Sequence, residues 1–173
     1  MTTIPDSAQC MQLLKKTGCS PNTIKHCLAV RDVAMRIAKK THADIALVEA
    51  GALLHDIGRS KTHGIRHAVE GAAIAQTLGL PQQLVLIIER HIGAGIPREE
   101  TKQLGLPPKD YIPQSLEEKI VAHADNLIDG HTRHTIAYEI NKALEKGQKN
   151  HAERLKNLHE ELSKLCGMNL DAI

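Results

Sequence analysis

The chain has 173 residues, with 22 Lys+Arg against 20 Asp+Glu and a formal net charge of +2, so no global field argues for DNA or an anionic membrane as a partner. No stretch approaches the roughly 18 apolar residues of a membrane span, and the opening MTTIPDSAQC lacks the basic and apolar regions of a secretion signal. Four cysteines without a C-x-x-C pair, no Trp, no Phe and only two Tyr argue for free thiols in a reducing cytoplasm, and against a surface that stacks the bases of a nucleic-acid polymer.

In chain order, the first clear helix runs through SPNTIKHCLAVRDVAMRIAKKT. Ser20 fits an N-cap, Pro21 fits the first helical position, and Ile24, Cys27, Val30, Ala34, Ile37 and Ala38 repeat with helical period. Asp44 can cap IALVEAGALLH, which is apolar nearly all round and therefore central. HAVEGAAIAQTLG stops at Gly79; PQQLVLIIERHIG starts at Pro81 and stops at Gly93. The stretch 94–114 holds four of the seven prolines and reads as one short helix after Pro97 and otherwise a long loop, where Tyr111 could stack on a base. Ser115 and Glu118 fit a capping box for the helix that follows. Two amphipathic helices, at about 133–146 and 150–166, close the chain. On the last, Leu155, Leu158, Leu162 and Leu165 form an a/d-like stripe that suggests a homodimer. No β-hairpin signal stands out. The fold class is all-α: a single domain over 1–173, with a core of about five helices over about 20–130 and a C-terminal helical extension over about 131–173.

The most apolar helix ends abruptly in His55-Asp56, followed by Gly58, Arg59 and Lys61. A carboxylate stranded beside a core costs several kcal/mol unless something compensates it. His26 shares a stripe with Val30, Val33 and Ile37, and Asp125 flanks the stripe of Val121 and Ile128. His91 ends an apolar helix before a glycine turn, and His67 opens a helix of small residues. Taken singly, each fits a core histidine bonded to backbone or a buried ion pair. Together they converge, and no strongly placed Lys or Arg shares their inward faces. A divalent metal would satisfy imidazoles and carboxylates at once. A donor set this rich in imidazole suits Mn, Fe, Co, Ni or Zn better than Mg or Ca. Among the remaining histidines, His42, His151 and His159 read as solvated surface, and His131 and His134 as exposed. His123 should point away from the face of Asp125, two residues on; His63 is undecided.

With HDIG at 55–58 and the stretches HAVEGAAIA and IERHIGAGI, residues 22–130 resemble the HD-domain metal-dependent phosphohydrolases, HDIG subgroup, and its small stand-alone archaeal-type members. The resemblance implies an HD-domain helical bundle in which His26, His55, Asp56 and Asp125 hold one divalent transition-metal ion. It implies that His67 and His91 hold a second where one is present, with Asp56 bridging. The implied activity is hydrolysis of a small phosphoester or nucleotide (a phosphomonoester, cyclic nucleotide or dinucleoside polyphosphate) by metal-activated water, with His55, Asp56 and Asp125 catalytic. Many relatives carry Lys after HDIG; Arg59 keeps the cation but changes its reach and fork. Arg59, Lys61 and Arg66 are the expected phosphate-binding cations, and Glu70 is expected to orient His67. The alternative is a metal-containing module that binds a nucleotide as a sensor without hydrolysing it. The expected setting is a cytoplasmic protein with a small phosphorylated substrate and neither nucleic-acid polymer nor membrane as partner.

Overall fold

The computed structural model describes residues 3–173; Met1 and Thr2, at the edge of the expected domain, lie outside the described residues. The described residues are all-α apart from one very short hairpin and a single antiparallel bridge between Ile96 and Tyr111. A helix absent from the sequence reading comes first: α1 (Ser7–Thr17) is closed by a capping box between Asp6 and Gln9 and buries Cys10 and Leu14. Helix α2 (Pro21–Ala38) starts where expected, the Ser20 hydroxyl accepting from the Thr23 amide. Helix α3 (Ile45–Leu54) is capped by Asp44 and buries Leu47, Val48 and every residue from Ala50 to Leu54. A 3-10 turn (Ile57–Ser60), α4 (His67–Thr77), α5 (Gln82–Glu89), α6 (Arg98–Leu104) and α7 (Leu116–Asn126) follow. The Ser115 cap on α7 forms, but Glu118 accepts from the Gln114 amide and Arg90 rather than from the Ser115 amide, so the expected box is only half closed.

Helix α3 packs against α1, α2, α5 and α7, which explains its apolar circumference. Gly51 permits the closest of these contacts, since a Cβ there would lie 2.8 Å from Ile87 Cγ2. The ends of α3, α4, α5 and α7 and the first two turns of α2 then meet on one side of the bundle, where His26, Asp56, His67, His91 and Asp125 line one pocket.

Two expectations need correction. Strands β1 (Ile128–Asp129) and β2 (Thr132–Arg133) form an antiparallel pair with Gly130 at φ +63°, as a two-residue hairpin loop demands. Two residues per strand are too few to leave an alternating pattern in the sequence. Helices α8 (Ile136–Glu145) and α9 (Lys149–Cys166) pack on each other, and α9 also packs on α7. Leu155, Leu158 and Leu162 are buried there and only Leu165 is exposed, so the stripe that suggested a homodimer is spent inside the chain. All four cysteines are free thiols, and among the described residues no helix is long and apolar enough to cross a membrane.

His159 is likewise buried, not solvated. Its Nε2 donates to Asn169 Oδ1 at 3.0 Å, so its Nδ1 accepts from His123 Nε2 at 3.1 Å. That leaves His123 Nδ1 buried with no partner. Burial, with His159 and Arg133 nearby, pushes the His123 imidazole down to about 3. An unfolded chain would bind this proton near pH 6.5. The contribution of His123 to stability is therefore complete above that pH and is lost as the pH falls toward about 3. We expect His123→Leu to flatten the pH dependence of urea stability between about pH 6.5 and 4; a slope equal to that of the parent chain would contradict this.

Candidate metal centre

Four imidazoles are oriented by the same device. His55 Nδ1 donates to the Ala52 carbonyl at 2.7 Å, His91 Nδ1 to Ile88 at 2.7 Å, and His67 Nδ1 to Gly64 at 2.8 Å. His26 Nδ1 donates across the fold to the Gly130 carbonyl, in the hairpin loop, at 2.5 Å. A carbonyl can only accept, so each neutral ring carries its proton on Nδ1 and turns the Nε2 lone pair inward.

The inward atoms form two nests that share one carboxylate. Asp56 Oδ2 lies 3.6 Å from His26 Nε2 and 3.7 Å from His55 Nε2, and Asp125 Oδ1 lies 2.9 and 3.5 Å from the same two nitrogens. Asp56 Oδ1 faces the other nest, 3.1 Å from His67 Nε2 and 3.4 Å from His91 Nε2. Within each nest the two imidazoles meet Nε2 to Nε2, at 3.3 Å for His26–His55 and 3.0 Å for His67–His91. Two lone pairs at that distance repel unless a proton or a metal ion lies between them. Asp56 Oδ1 is buried without any hydrogen-bond donor, a costly state for a carboxylate oxygen. Donor atoms held roughly 2.0–2.2 Å from a common ion stand about 3–3.6 Å apart. The observed spacings, 2.9–3.7 Å, match this range to within about 0.1 Å, so the residues present fit a divalent metal, and both nests could hold one.

The electrostatics point the same way. Burial alone would raise Asp56 and Asp125, but His55 and the imidazoles around each outweigh it and hold both carboxyls below the ordinary range. Burial would lower His55, yet Asp56 and Asp125 pull it up to about 9. The cluster thus draws positive charge to the Nε2 side of His55, where a proton and a metal compete.

The pocket above these groups has a volume of about 580 Å³. His26, Asp56, His67, His91, Asp125 and Arg59 line it, while His55 is wholly buried beneath. Arg59 corrects the expectation that no cation reaches the aspartates: its Nε donates to Asp56 Oδ2 at 2.6 Å and its Nη1 to the His63 carbonyl. Lys61 and Arg66 do not line the pocket; Arg66 donates to the Gly105 carbonyl instead. Glu70 sits against Arg66, and the carbonyl of Gly64, not Glu70, orients His67. Lys142 on α8 and His151 on α9 also line the pocket. Both come from the C-terminal helices and left no signal in the sequence that joined them to HDIG. His63 is exposed at the rim. Tyr111 is buried with its hydroxyl on the Pro107 carbonyl, so it presents no ring for stacking.

The model of the family described as HD domain matches residues 23–129. The chain is 49% identical over 170 residues to a tRNA (cytidine(56)-2'-O)-methyltransferase of Thermoplasma volcanium, an alignment covering 98% of this chain and 50% of that protein. A second such methyltransferase, of Picrophilus torridus, also aligns over half its length, so the chain spans about half the length of these two relatives. It is 52% identical over 157 residues to an uncharacterized protein of Methanocaldococcus jannaschii, covering 87% of this chain and 93% of that one. In fold it is similar to the HD domain of the L. monocytogenes phosphodiesterase PgpH, solved in complex with cyclic-di-AMP, at a TM-score of 0.57 and 20% identity over 90% of this chain and 96% of that one.

The HDIG stretch also has a steric logic. Ile57 is fully buried, and a Cβ on Gly58 would come 1.8 Å from the His67 carbonyl oxygen and 2.6 Å from the Gly71 amide. Glycine at 58 lets the 3-10 turn touch the start of α4 and keeps His67 against Asp56. Gly58→Ala should destabilise the fold by about 1–3 kcal/mol or more, as overpacking against backbone does. A loss below about 0.5 kcal/mol in urea denaturation would contradict this close approach.

Proposed function

Because this chain belongs to the HD-domain family, we propose that its Asp56-centred pocket binds divalent metal and hydrolyses a small phosphoester or nucleotide. The observation that carries the reading is Asp56 itself. Its Oδ1 is a buried carboxylate oxygen with no donor, aimed at the lone pairs of His67 and His91, while its Oδ2 faces His26 and His55.

In this reading His26, His55, Asp56 and Asp125 hold one ion, and Asp56, His67 and His91 hold a second. Bound divalent metal supplies a polarising charge for a phosphoryl oxygen and lowers the pKa of water toward neutrality. The other tasks belong to the chain. Arg59 has five N–H donors and spends two on Asp56 and His63, so the rest of its fork can meet phosphoryl oxygens from the pocket wall. Lys142 is the second cation of the pocket lining, held between Glu139 at 2.9 Å and Asp129 at 3.9 Å. The carbonyls of Ala52, Ile88, Gly64 and Gly130 keep the four rings from turning, so the donor set is organised before substrate arrives.

One observation favours a second reading. Two relatives of which this chain spans half are named for methyl transfer to tRNA, an activity to which this pocket contributes no evident chemistry. A module that binds a nucleotide without cleaving it would sit equally well there.

Hydrolysis decides between the two. With Mn(II) present, the chain should release nitrophenol from nitrophenyl phosphomonoesters or diesters, or cleave a panel of nucleotides. Asp56→Asn should lower that rate more than about a hundredfold with its helical circular dichroism intact, since even residues that only support metal ligands cost 10–100-fold. Turnover that survives both chelation and Asp56→Asn would refute the assignment, and nucleotide binding without any turnover would favour the second reading.

A further inference from the structure

A second and larger cavity, about 820 Å³, adjoins the metal pocket between α6 and the start of α9. Its volume lies within the roughly 300–1,000 Å³ of ordinary ligand clefts. Ile92 and His151 line both spaces, so the two lie side by side with these residues between them. The His151 ring lies directly over Gly93, where a Cβ would overlap its Cε1, so glycine there makes room for the imidazole beside both spaces.

The floor is aliphatic. Ile65, Ile92, Ile96 and Leu104 belong to a small hydrophobic cluster built around Tyr111 and Leu106, separate from the main core. The rim is acidic. Arg154 is spent on Glu100 through two hydrogen bonds of 2.9 and 2.8 Å. That leaves Glu99 and Glu153, neither in an ion pair, against Lys149 alone. A phosphate group would meet a surplus of carboxylates there, whereas a neutral ring with N–H donors would find an apolar bed and acceptors at its edge. The metal pocket next door pairs Arg59 with Asp56 and Lys142 with Glu139 and carries Asp125 and Asp129 besides, so the proposed ions, and not its side chains, would make it the place for a phosphate.

Resting on the phosphohydrolase reading above, we propose that the α6–α9 cavity is the specificity subsite of this protein. It holds the uncharged, donor-bearing part of the substrate, a nucleoside, while the metal pocket holds that substrate's single phosphate. The arrangement selects a nucleoside monophosphate or its ester over substrates with a second phosphate beyond the first. His151 stands where the sugar would pass from one space to the other and serves as a positioning residue.

Calorimetric titration of the Mn(II)-loaded chain with hydrolysis-resistant phosphonate analogues of AMP and ADP (AMP and ADP below), inorganic phosphate and adenosine tests this without depending on turnover. AMP should bind at least about tenfold tighter than phosphate, adenosine should bind alone, and ADP should bind no tighter than AMP. Leu104→Trp, which fills the cavity from its floor, should abolish adenosine binding and bring AMP down to the affinity of phosphate, leaving phosphate itself unchanged. Glu153→Lys, a change at an exposed position that spares the packing, should weaken adenosine and shift preference from AMP toward ADP. Equal affinities for AMP and phosphate in the parent chain would overturn the proposal. So would variants that bind all four ligands as the parent does. Adenosine binding with no phosphate binding would instead uphold the cavity and count against the metal-pocket reading.

Discussion

A carboxylate buried at the end of an apolar helix must be neutralised, and this single requirement organises the molecule. Asp56 is nearly inaccessible to solvent, and its two oxygens face two pairs of imidazoles. Arg59 meets one oxygen and nothing donates to the other. Desolvating such a group without a counter-charge costs several kcal/mol, so the cluster as folded calls for cations. Two divalent ions at the proposed positions would answer that call and turn a destabilising feature into a reactive one.

The bundle is built to hold this arrangement against its own repulsions. Helix α3 is apolar on all sides because four helices surround it, and that enclosure fixes where His55 and Asp56 emerge. Each imidazole is locked by a backbone carbonyl, three of them three residues upstream of the ring. The orientation therefore follows from local helix-end geometry and needs no help from distant side chains. The fourth, His26, depends on Gly130 in the short hairpin. That gives the hairpin a role out of proportion to its four residues. Gly58 and Gly71 bring the 3-10 turn, α4 and α5 together, since a Cβ on Gly71 would lie 2.8 Å from Ile88.

Much of this was legible in the chain itself. Ser20, Asp44 and Ser115 cap helices where their side chains predict. His26, His55, Asp56, His67, His91 and Asp125, picked from stripes and helix ends, do converge. The rest was missed for different physical reasons. Helix α1 carried a readable signal, Asp6 and Gln9 as a capping box, but has only two buried residues to betray it. His159 lies one helical turn from Leu155 and Leu162, and its place on that face could have marked it as buried. Lys142 and His151 left no such trace: they reach the pocket only because α8 and α9 fold back over it, a tertiary fact without periodicity. Lys61 and Arg66 were nominated by proximity in sequence, and a turn between them carries both outside the pocket lining.

The central claim is that Asp56 joins two metal sites, and electron paramagnetic resonance of the chain titrated with Mn(II) tests it most directly. The account predicts uptake of two ions per chain, with the second giving the multiline spectrum of an exchange-coupled pair. A chain that takes up no Mn(II), or shows only isolated-ion spectra up to saturation, would contradict it.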